Sequence, residues 1–533
     1  MQSVGAYKHF GVMLDCSRNA VMKVNAVKRM IDCLQKMGYN TLELYTEDTY
    51  EIKTEPYFGY LRGRYTGAEL KELDAYATAR GVELIPCVQT LAHFTALVRN
   101  GEYRKIVDCN DILLIDEPKT YELIEKIFAT LAENFTSRNV NIGMDEAHMV
   151  GLGKYLDKHG FVNRFDLLIR HLHKVTEIAE KYGFKPHMWS DMFFRLACKG
   201  EYYEPHANIS QEIKNAVPKN VALTYWDYYH DDTDFYNGMI EKHFEFNREV
   251  WFAGGAYSWN GGIAPMNAFS LKVMKPAMQS VREKKIENVL ITMWGDNGRE
   301  CSFFSLLPAL YSIRQYADGN TDEESIKKGF YQLFGVRYDD FMLLDIPNKL
   351  DIDELTMSNP SKCLLYTDPF MGILDKTLET VPTIPFAEFA ATLRKTSAQA
   401  NEFSYIFETL SKLCDVLAIK AYFGINVRRA YQAKDKNALK ERINDCKEMV
   451  VRLEVFHKAF YTSWHKENKP QGWEIQDARI GGLIQRVKTC AGRLQEYVDG
   501  QREVLEELEE ELLLTEQYLC NNAYKDLISR SML

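Results

Sequence analysis

The strongest constraint on this chain is a counted alternation. Short β-branched or aromatic runs recur eight times in the first 320 residues, separated by longer stretches with apolar residues at three- and four-residue spacing. The runs are GVMLD (11–15), TLELYT (41–46), ELIPCVQT (83–90), NVNIGMDE (139–146), KPHMWSDMF (185–193), VALTYWDY (221–228), EVWFAGGAYSW (249–259) and NVLITMWGD (288–296). Between them, VNAVKRMIDCLQKMG, YELIEKIFATLAENF, FDLLIRHLHKVTEIAEKYG and AFSLKVMKPAMQSVREKK carry helical periodicity, and two of the four stop at a glycine. Eight βα units predict an α/β fold, a (β/α)8 TIM barrel, with surplus length in the loops after strands three and five. A doubly wound sheet is the alternative. It would bring a Gly-rich phosphate loop after strand one, where this chain has DCSRNAV.

Beyond residue 335 the texture changes. DIDELTMSNPSKCLLYTDPF and TVPTIPFAE are irregular and contain proline, and helical patterns then dominate from Glu388, including the acidic QREVLEELEEELLLTEQYL. The expected division is a catalytic barrel over 1–335 and an α-helical C-terminal domain over 336–533. The acidic run at 503–511 reads as a solvated helix face, or as a partner-facing stripe on Leu505, Leu508, Leu512 and Leu513.

Composition narrows the function class. The net charge of −10 offers no concentrated basic field for nucleic acid or an anionic membrane. No window approaches a membrane span, and the N-terminal MQSVGAYKHFGVMLD has no leader pattern, so the expected location is cytoplasmic. Eleven cysteines without Cys-x-x-Cys spacing suggest neither a disulfide framework nor a zinc site, and His93, His148 and His187 have no second ligand at metal spacing. No metal or cofactor is expected.

In a barrel, chemistry belongs at the C-terminal ends of the strands. Strand two ends in Glu47–Asp48, strand three runs into His93, and strand four ends in Asp145–Glu146. The last four ends carry Trp189, Trp226, Trp259 and Trp294, four of the seven tryptophans of the chain. Any one of these alone reads first as core packing. Four at one rim beside carboxylates suit a sugar, whose C–H faces stack on indoles while its hydroxyls meet polar edges. Adjacent carboxylates do not easily flank a glycosidic bond, and the end of strand seven, GGAYSWN, supplies no nucleophilic carboxylate. That combination favours substrate assistance, in which a 2-acetamido oxygen attacks the anomeric carbon. Glu146 is then the acid, and ionised Asp145 orients the acetamido N–H.

At these residues the sequence resembles glycoside hydrolase family 20, the exo-β-N-acetylhexosaminidases, and most of all the compact intracellular bacterial members. GMDE (143–146) resembles the family's Gly-x-Asp-Glu, DCSR (15–18) its Asp-x-x-Arg, and WGD (294–296) its Trp-Gly-Glu. The resemblance implies Glu146 as acid/base, Asp145 as acetamido orienter and Tyr257 as donor to the acetamido oxygen. It further implies Asp48 and His93 as a relay behind the acid, Trp189, Trp226 and Trp294 as sugar walls, and Asp296 as the carboxylate for the outer hydroxyls. Two departures stand out. The family's substrate-gripping arginine falls on Phe10, which passes hydroxyl recognition to Arg18, unless Arg18 serves only as a salt-bridge partner of Asp15. LAH (91–93) replaces a Pro-Gly-His turn, which leaves a core role open for His93.

The expected activity is therefore retaining, substrate-assisted removal of terminal β-linked GlcNAc or GalNAc from oligosaccharides. A β-glucosidase-like barrel and a disabled carbohydrate-binding barrel are the alternatives. The helical domain is expected to form a homodimer interface or to lend residues to the site. KPQGWEIQDARIGG (469–482), with Trp473 and Arg479, is the place for such a loan unless it is an ordinary interdomain loop.

Overall fold

A computed structural model describes residues 7–350, 358–515, 519–520 and 523–531; the extreme N-terminus and the first part of the 351–370 stretch read above lie outside them. Eight parallel strands close into a barrel in sequence order. They are β1 (His9–Asp15), β2 (Thr41–Tyr45), β3 (Glu83–Cys87), β4 (Asn139–Asn141), β5 (Lys185–Trp189), β6 (Ala222–Trp226), β7 (Val250–Gly255) and β8 (Asn288–Met293). Closure runs through β1 and β8, where Val12 pairs with Ile291. The strands are apolar and almost wholly buried because helices cover the outside and side chains fill the inside. Their connecting helices end as the sequence dictates: Val24–Met37 stops at Gly38, whose φ of 85° lets its N–H return to Gln35 and Leu34.

The lower barrel is solid. Trp251 is stacked between His9 and His187 at centroid distances of 4.7 and 4.3 Å, and His187 Nε2 lies 3.0 Å from the buried Glu43 carboxylate. Such a plug leaves the upper rim as the place for a ligand.

Several strands are shorter than their apolar runs. The expected strand 139–146 ends at Asn141, because Gly143, Met144 and Glu146 adopt φ of 70°, 72° and 51°. Left-handed backbone at two non-glycine residues breaks a ladder and costs energy. Here it turns Asp145 and Glu146 out of the sheet line and over the barrel mouth. In β5 the ladder likewise stops at Trp189, and Asp191 opens a helix, Asp191–Ala197.

The described residues after Gly335 are mostly helical, dominated by Ser404–Lys420, Lys436–Glu467 and Trp473–Val498. Among the described residues of the acidic run the long helix expected there is not formed, and the helical turn is confined to Glu506–Glu509. Gly500, at φ 77°, ends the preceding helical turn. Arg428 then takes the carbonyls of Glu507, Leu508 and Glu510, groups that a continuing helix would have used itself. Leu505 and Leu508 point inward, whereas Leu513 and Leu514 are exposed.

Candidate active site

The ends of β1 and β2 meet in an arginine-centred cluster. Asp15, fully buried, accepts from the Ser17 N–H and hydroxyl through one oxygen, and from Arg18 Nη1 (3.0 Å) and the Gly295 N–H (2.9 Å) through the other. Thus fixed, the Arg18 guanidinium also reaches Glu47 (3.3 Å) and Asp296 (3.5 Å) and lies over the rings of Tyr45 and Trp294. The salt-bridge and rim roles weighed for Arg18 coexist in one geometry. Phe10, by contrast, sits at the foot of β1, packed against Tyr7, Tyr39 and Arg314. It occupies no rim position and does not line the cavity at the barrel mouth.

The relay expected from His93 to Asp48 is not formed. Asp48 is held by Arg62 at 3.0 Å, and Arg62 also donates to the Ser17 carbonyl. Glu47 faces the rim instead: β2 ends at Tyr45, and in the turn that follows, closed by the Thr49 N–H to the Thr46 carbonyl (3.0 Å), Glu47 and Asp48 meet different arginines. Burial pushes the Glu47 carboxyl up to about 7 against the pull of Arg18. Tyr45 donates to Glu47 (3.0 Å), and Gln89 donates both to the Tyr45 hydroxyl (3.0 Å) and to Asp145 Oδ1 (2.8 Å), so a hydrogen-bonded chain links Arg18 to Asp145.

His93 stands at φ 61° with Nε2 3.2 Å from Asp145 Oδ2 and 3.7 Å from Glu146 Oε2. Burial opposes a charge on His93, but the Asp145 carboxylate outweighs it and raises the imidazole to about 10. Burial likewise opposes ionisation of Asp145. His93 and the Gln89 amide overcome it and hold that carboxyl below its usual range. Asp145 is therefore a fixed, ionised acceptor, while the Glu146 side chain is 42% exposed toward the mouth.

Behind Glu146 stands Asp191, whose Oδ2 accepts the Glu146 N–H (3.1 Å) and Arg195 Nε (3.0 Å). Burial, with the Asp145 charge, raises Asp191 to about 7. Arg195 Nη2 approaches Glu146 Oε1 at 3.8 Å.

Trp189, Trp226, Trp259 and Trp294, with Tyr228 and Tyr229, line one cavity of about 110 Å³ together with Arg18, His93, Asp145, Glu146 and Asp296. Its lining, aromatic rings with a few polar groups, suits a small polar ligand held among rings. Tyr228 lies 5.5 Å from Trp226 in a near-parallel stack and accepts from Trp294 Nε1 (3.2 Å). Tyr257 does not line this cavity. It is fully buried behind Trp259, stacked at 4.1 Å, and its hydroxyl donates to the Tyr228 carbonyl. Tyr229, 40% exposed, presents its ring to the cavity instead.

Sequence reasoning did not single out Gln89, Asp191, Arg195, Tyr228 or Tyr229. Signals existed for some: WDYY (226–229) continues the aromatic run past a strand end, and SDMFFR (190–195) places a carboxylate and an arginine one helical turn apart. Among the described residues no group of three or more His, Cys, Asp or Glu side chains could hold a metal ion, and no helix is long and apolar enough to cross a membrane.

Fold and rim define a carbohydrate-active barrel: paired carboxylates at a strand end, facing a wall of indoles. The glycosyl hydrolase family 20 catalytic-domain model matches residues 7–237, and the Glycoside Hydrolase 20C C-terminal domain model matches 339–523. The chain belongs to glycoside hydrolase family 20. A beta-hexosaminidase of Vibrio furnissii is 29% identical over 177 residues, covering 26% of this chain and 29% of the relative. A probable beta-hexosaminidase of Arthroderma benhamiae is 23% identical over 252 residues, covering 41% and 38%. The match therefore spans well under half the length of either relative. Among solved structures, the Flavobacterium johnsoniae chitobiase aligns with a TM-score of 0.48 at 15% identity, covering 94% of this chain and 74% of that one.

Proposed function

We propose that this chain is an exo-β-N-acetylhexosaminidase that removes terminal β-linked GlcNAc or GalNAc from oligosaccharides with net retention, the substrate's acetamido group serving as nucleophile. The observation that carries the reading is the placement of both carboxylates on one edge of the cavity, within 3.2 and 3.7 Å of the same imidazole nitrogen. A protein nucleophile would have to face the acid across the scissile bond. The remaining carboxylate lining the cavity, Asp296, is engaged by Arg18.

In the first step the acetamido oxygen attacks the anomeric carbon, the glycosidic C–O bond breaks, and Glu146 gives its proton to the departing oxygen. Asp145 accepts the acetamido N–H and stabilises the oxazolinium charge, a task that requires it to stay ionised. In the second step water attacks the anomeric carbon from the vacated face. Glu146 takes a proton from that water, and the ring opens to the β-configured sugar. With the Tyr257 hydroxyl committed elsewhere, Tyr229 is the donor to the acetamido oxygen, and Trp189, Trp226, Trp259 and Trp294 hold the sugar face. Arg18 and Asp296 take its outer hydroxyls.

The reaction needs no cofactor in this reading. Eleven free thiols, most of them buried, support a reducing, cytoplasmic setting. The mechanism is tested with a thiazoline analogue of the oxazoline. It should compete with a 4-nitrophenyl N-acetyl-β-glucosaminide and bind at least about a hundredfold tighter than the substrate, and affinity no better than that of the substrate would count against substrate assistance.

A further inference from the structure

The segment after Trp294 runs through consecutive left-handed residues, Asn297 (φ 58°), Gly298 (φ 119°) and Arg299 (φ 49°). Strain of this kind persists only where the surroundings over-determine it. The barrel supplies the Arg299 N–H to Gly295 carbonyl bond (2.8 Å) and a long contact from the Asn19 amide to the Gly298 carbonyl (3.4 Å), and the C-terminal helices supply the rest. Arg479 Nη1 donates to the Asn297 carbonyl (2.8 Å) and pairs with Glu300 (3.0 Å); Gln476 donates to the Gly298 carbonyl (3.0 Å). Lys362 Nζ pairs with Glu300 at 2.8 Å and reaches the Asn297 carbonyl at 3.3 Å, and Tyr366 donates to Glu300 (2.6 Å). Glu300 and Lys362 are each about 1% exposed at the side chain. A Cβ on Gly298 would meet Arg479 Nη1 at 2.4 Å, so helix and loop interlock. The stretch 469–482 is thus not a connecting loop: its greater part is the start of the Trp473–Val498 helix.

We propose that the C-terminal helical region is a positioning element of the sugar site, in which Lys362, Gln476 and Arg479 hold the β8 loop so that Asp296 meets the outer hydroxyls of the terminal sugar. The inference rests on the function proposed above. None of the three side chains lines the cavity. They act through the loop, whose other end is tied down by the Gly295 N–H to Asp15 bond. Removing Glu300 or Lys362 would leave a buried charge unpaired and endanger the fold, so milder changes are the informative ones.

The test measures KM and kcat on 4-nitrophenyl N-acetyl-β-glucosaminide for the full chain, Arg479→Lys, Gln476→Ala, Asp296→Ala and the Arg479→Lys/Asp296→Ala double variant. Arg479→Lys should raise KM about tenfold and Gln476→Ala a few fold, with kcat within about twofold, the pattern of lost uniform binding. On the Asp296→Ala background the Arg479→Lys penalty should nearly vanish, because both changes remove the same contact. Unchanged KM in the two folded single variants, or an undiminished penalty on the Asp296→Ala background, would overturn the inference. Should Arg479→Lys not fold, Gln476→Ala and its double variant with Asp296→Ala carry the same comparison. A wild-type chain inactive on this substrate and on its GalNAc counterpart sinks the proposed function and this inference with it; an active one with indifferent variants sinks the inference alone.

Discussion

The imidazole Nε2 of His93 lies 3.2 Å from the Asp145 carboxylate, with both groups almost withdrawn from water. Its consequence for stability has a definite sign. The folded His93 titrates at about 10, above the roughly 6.5 of an unfolded histidine, so its contribution is complete below that unfolded value and is lost as pH rises through about 10. Asp145 is shifted down, so its share is present above about 3.9 and is lost only as pH falls through the lower folded value. The stability advantage of the wild type over His93→Gln should therefore be larger at pH 6 than at pH 9.5 in urea unfolding. An advantage that grows with pH would mean that the imidazole is neutral in the folded protein.

Tyr229 and Tyr257 separate by the kind of damage their loss does. Tyr229→Phe should lower kcat/KM on acetamido substrates by about one to two orders of magnitude, with the melting temperature nearly unchanged. Tyr257→Phe strips a buried hydroxyl from the Tyr228 carbonyl and should cost about 1 kcal/mol in chemical denaturation, with a smaller kinetic effect. The reverse assignment would restore Tyr257 as the acetamido donor.

Asp191 holds the Glu146 backbone at φ 51°, and Asp191→Ala should reduce kcat by about ten- to a hundredfold through a misplaced acid, with little change in KM. Its carboxyl titrates at about 7 when folded against roughly 3.9 when unfolded, so the protein is favoured below the unfolded value and loses that stability as pH climbs toward 7. Asp191→Asn cannot ionise. Relative to wild type it should gain stability between pH 4 and pH 7, and a constant difference across that range would refute the burial of an ionisable carboxyl there.

Arg18 joins Asp15, Glu47 and Asp296 in a fork that a lysine cannot reproduce. Arg18→Lys should therefore raise KM by about tenfold or more. Unaltered kinetics would confine Arg18 to scaffolding.

The barrel was legible because short β-branched or aromatic runs recur eight times between stretches of helical spacing, and the indole rim because strand ends can be lined up by counting. Asp145 and Glu146 stood out for a physical reason: a buried apolar run seldom ends in two carboxylates without a use for them. What stayed hidden depends on direction rather than on residue type. Glu47 and Asp48 are neighbours in sequence, and only the exit angle of β2 decides which one meets Arg18. Tyr229 and Tyr257 are alike in composition, and only packing shows that Trp259 covers the latter. The left-handed turns at Met144, Glu146 and Asn297 shortened β4 and reshaped the β8 loop in ways that apolar periodicity does not encode. The acidic helix failed for a related reason, since Arg428, distant in sequence, claims its carbonyls.

The most direct test of the central claim is initial rates of the purified protein on 4-nitrophenyl β-glycosides of GlcNAc, GalNAc, Glc and Gal, with Glu146→Gln measured alongside. Turnover confined to the two acetamido sugars and abolished in Glu146→Gln is the predicted result. Comparable turnover of Glc or Gal, which carry no acetamido oxygen to attack the anomeric carbon, would contradict it.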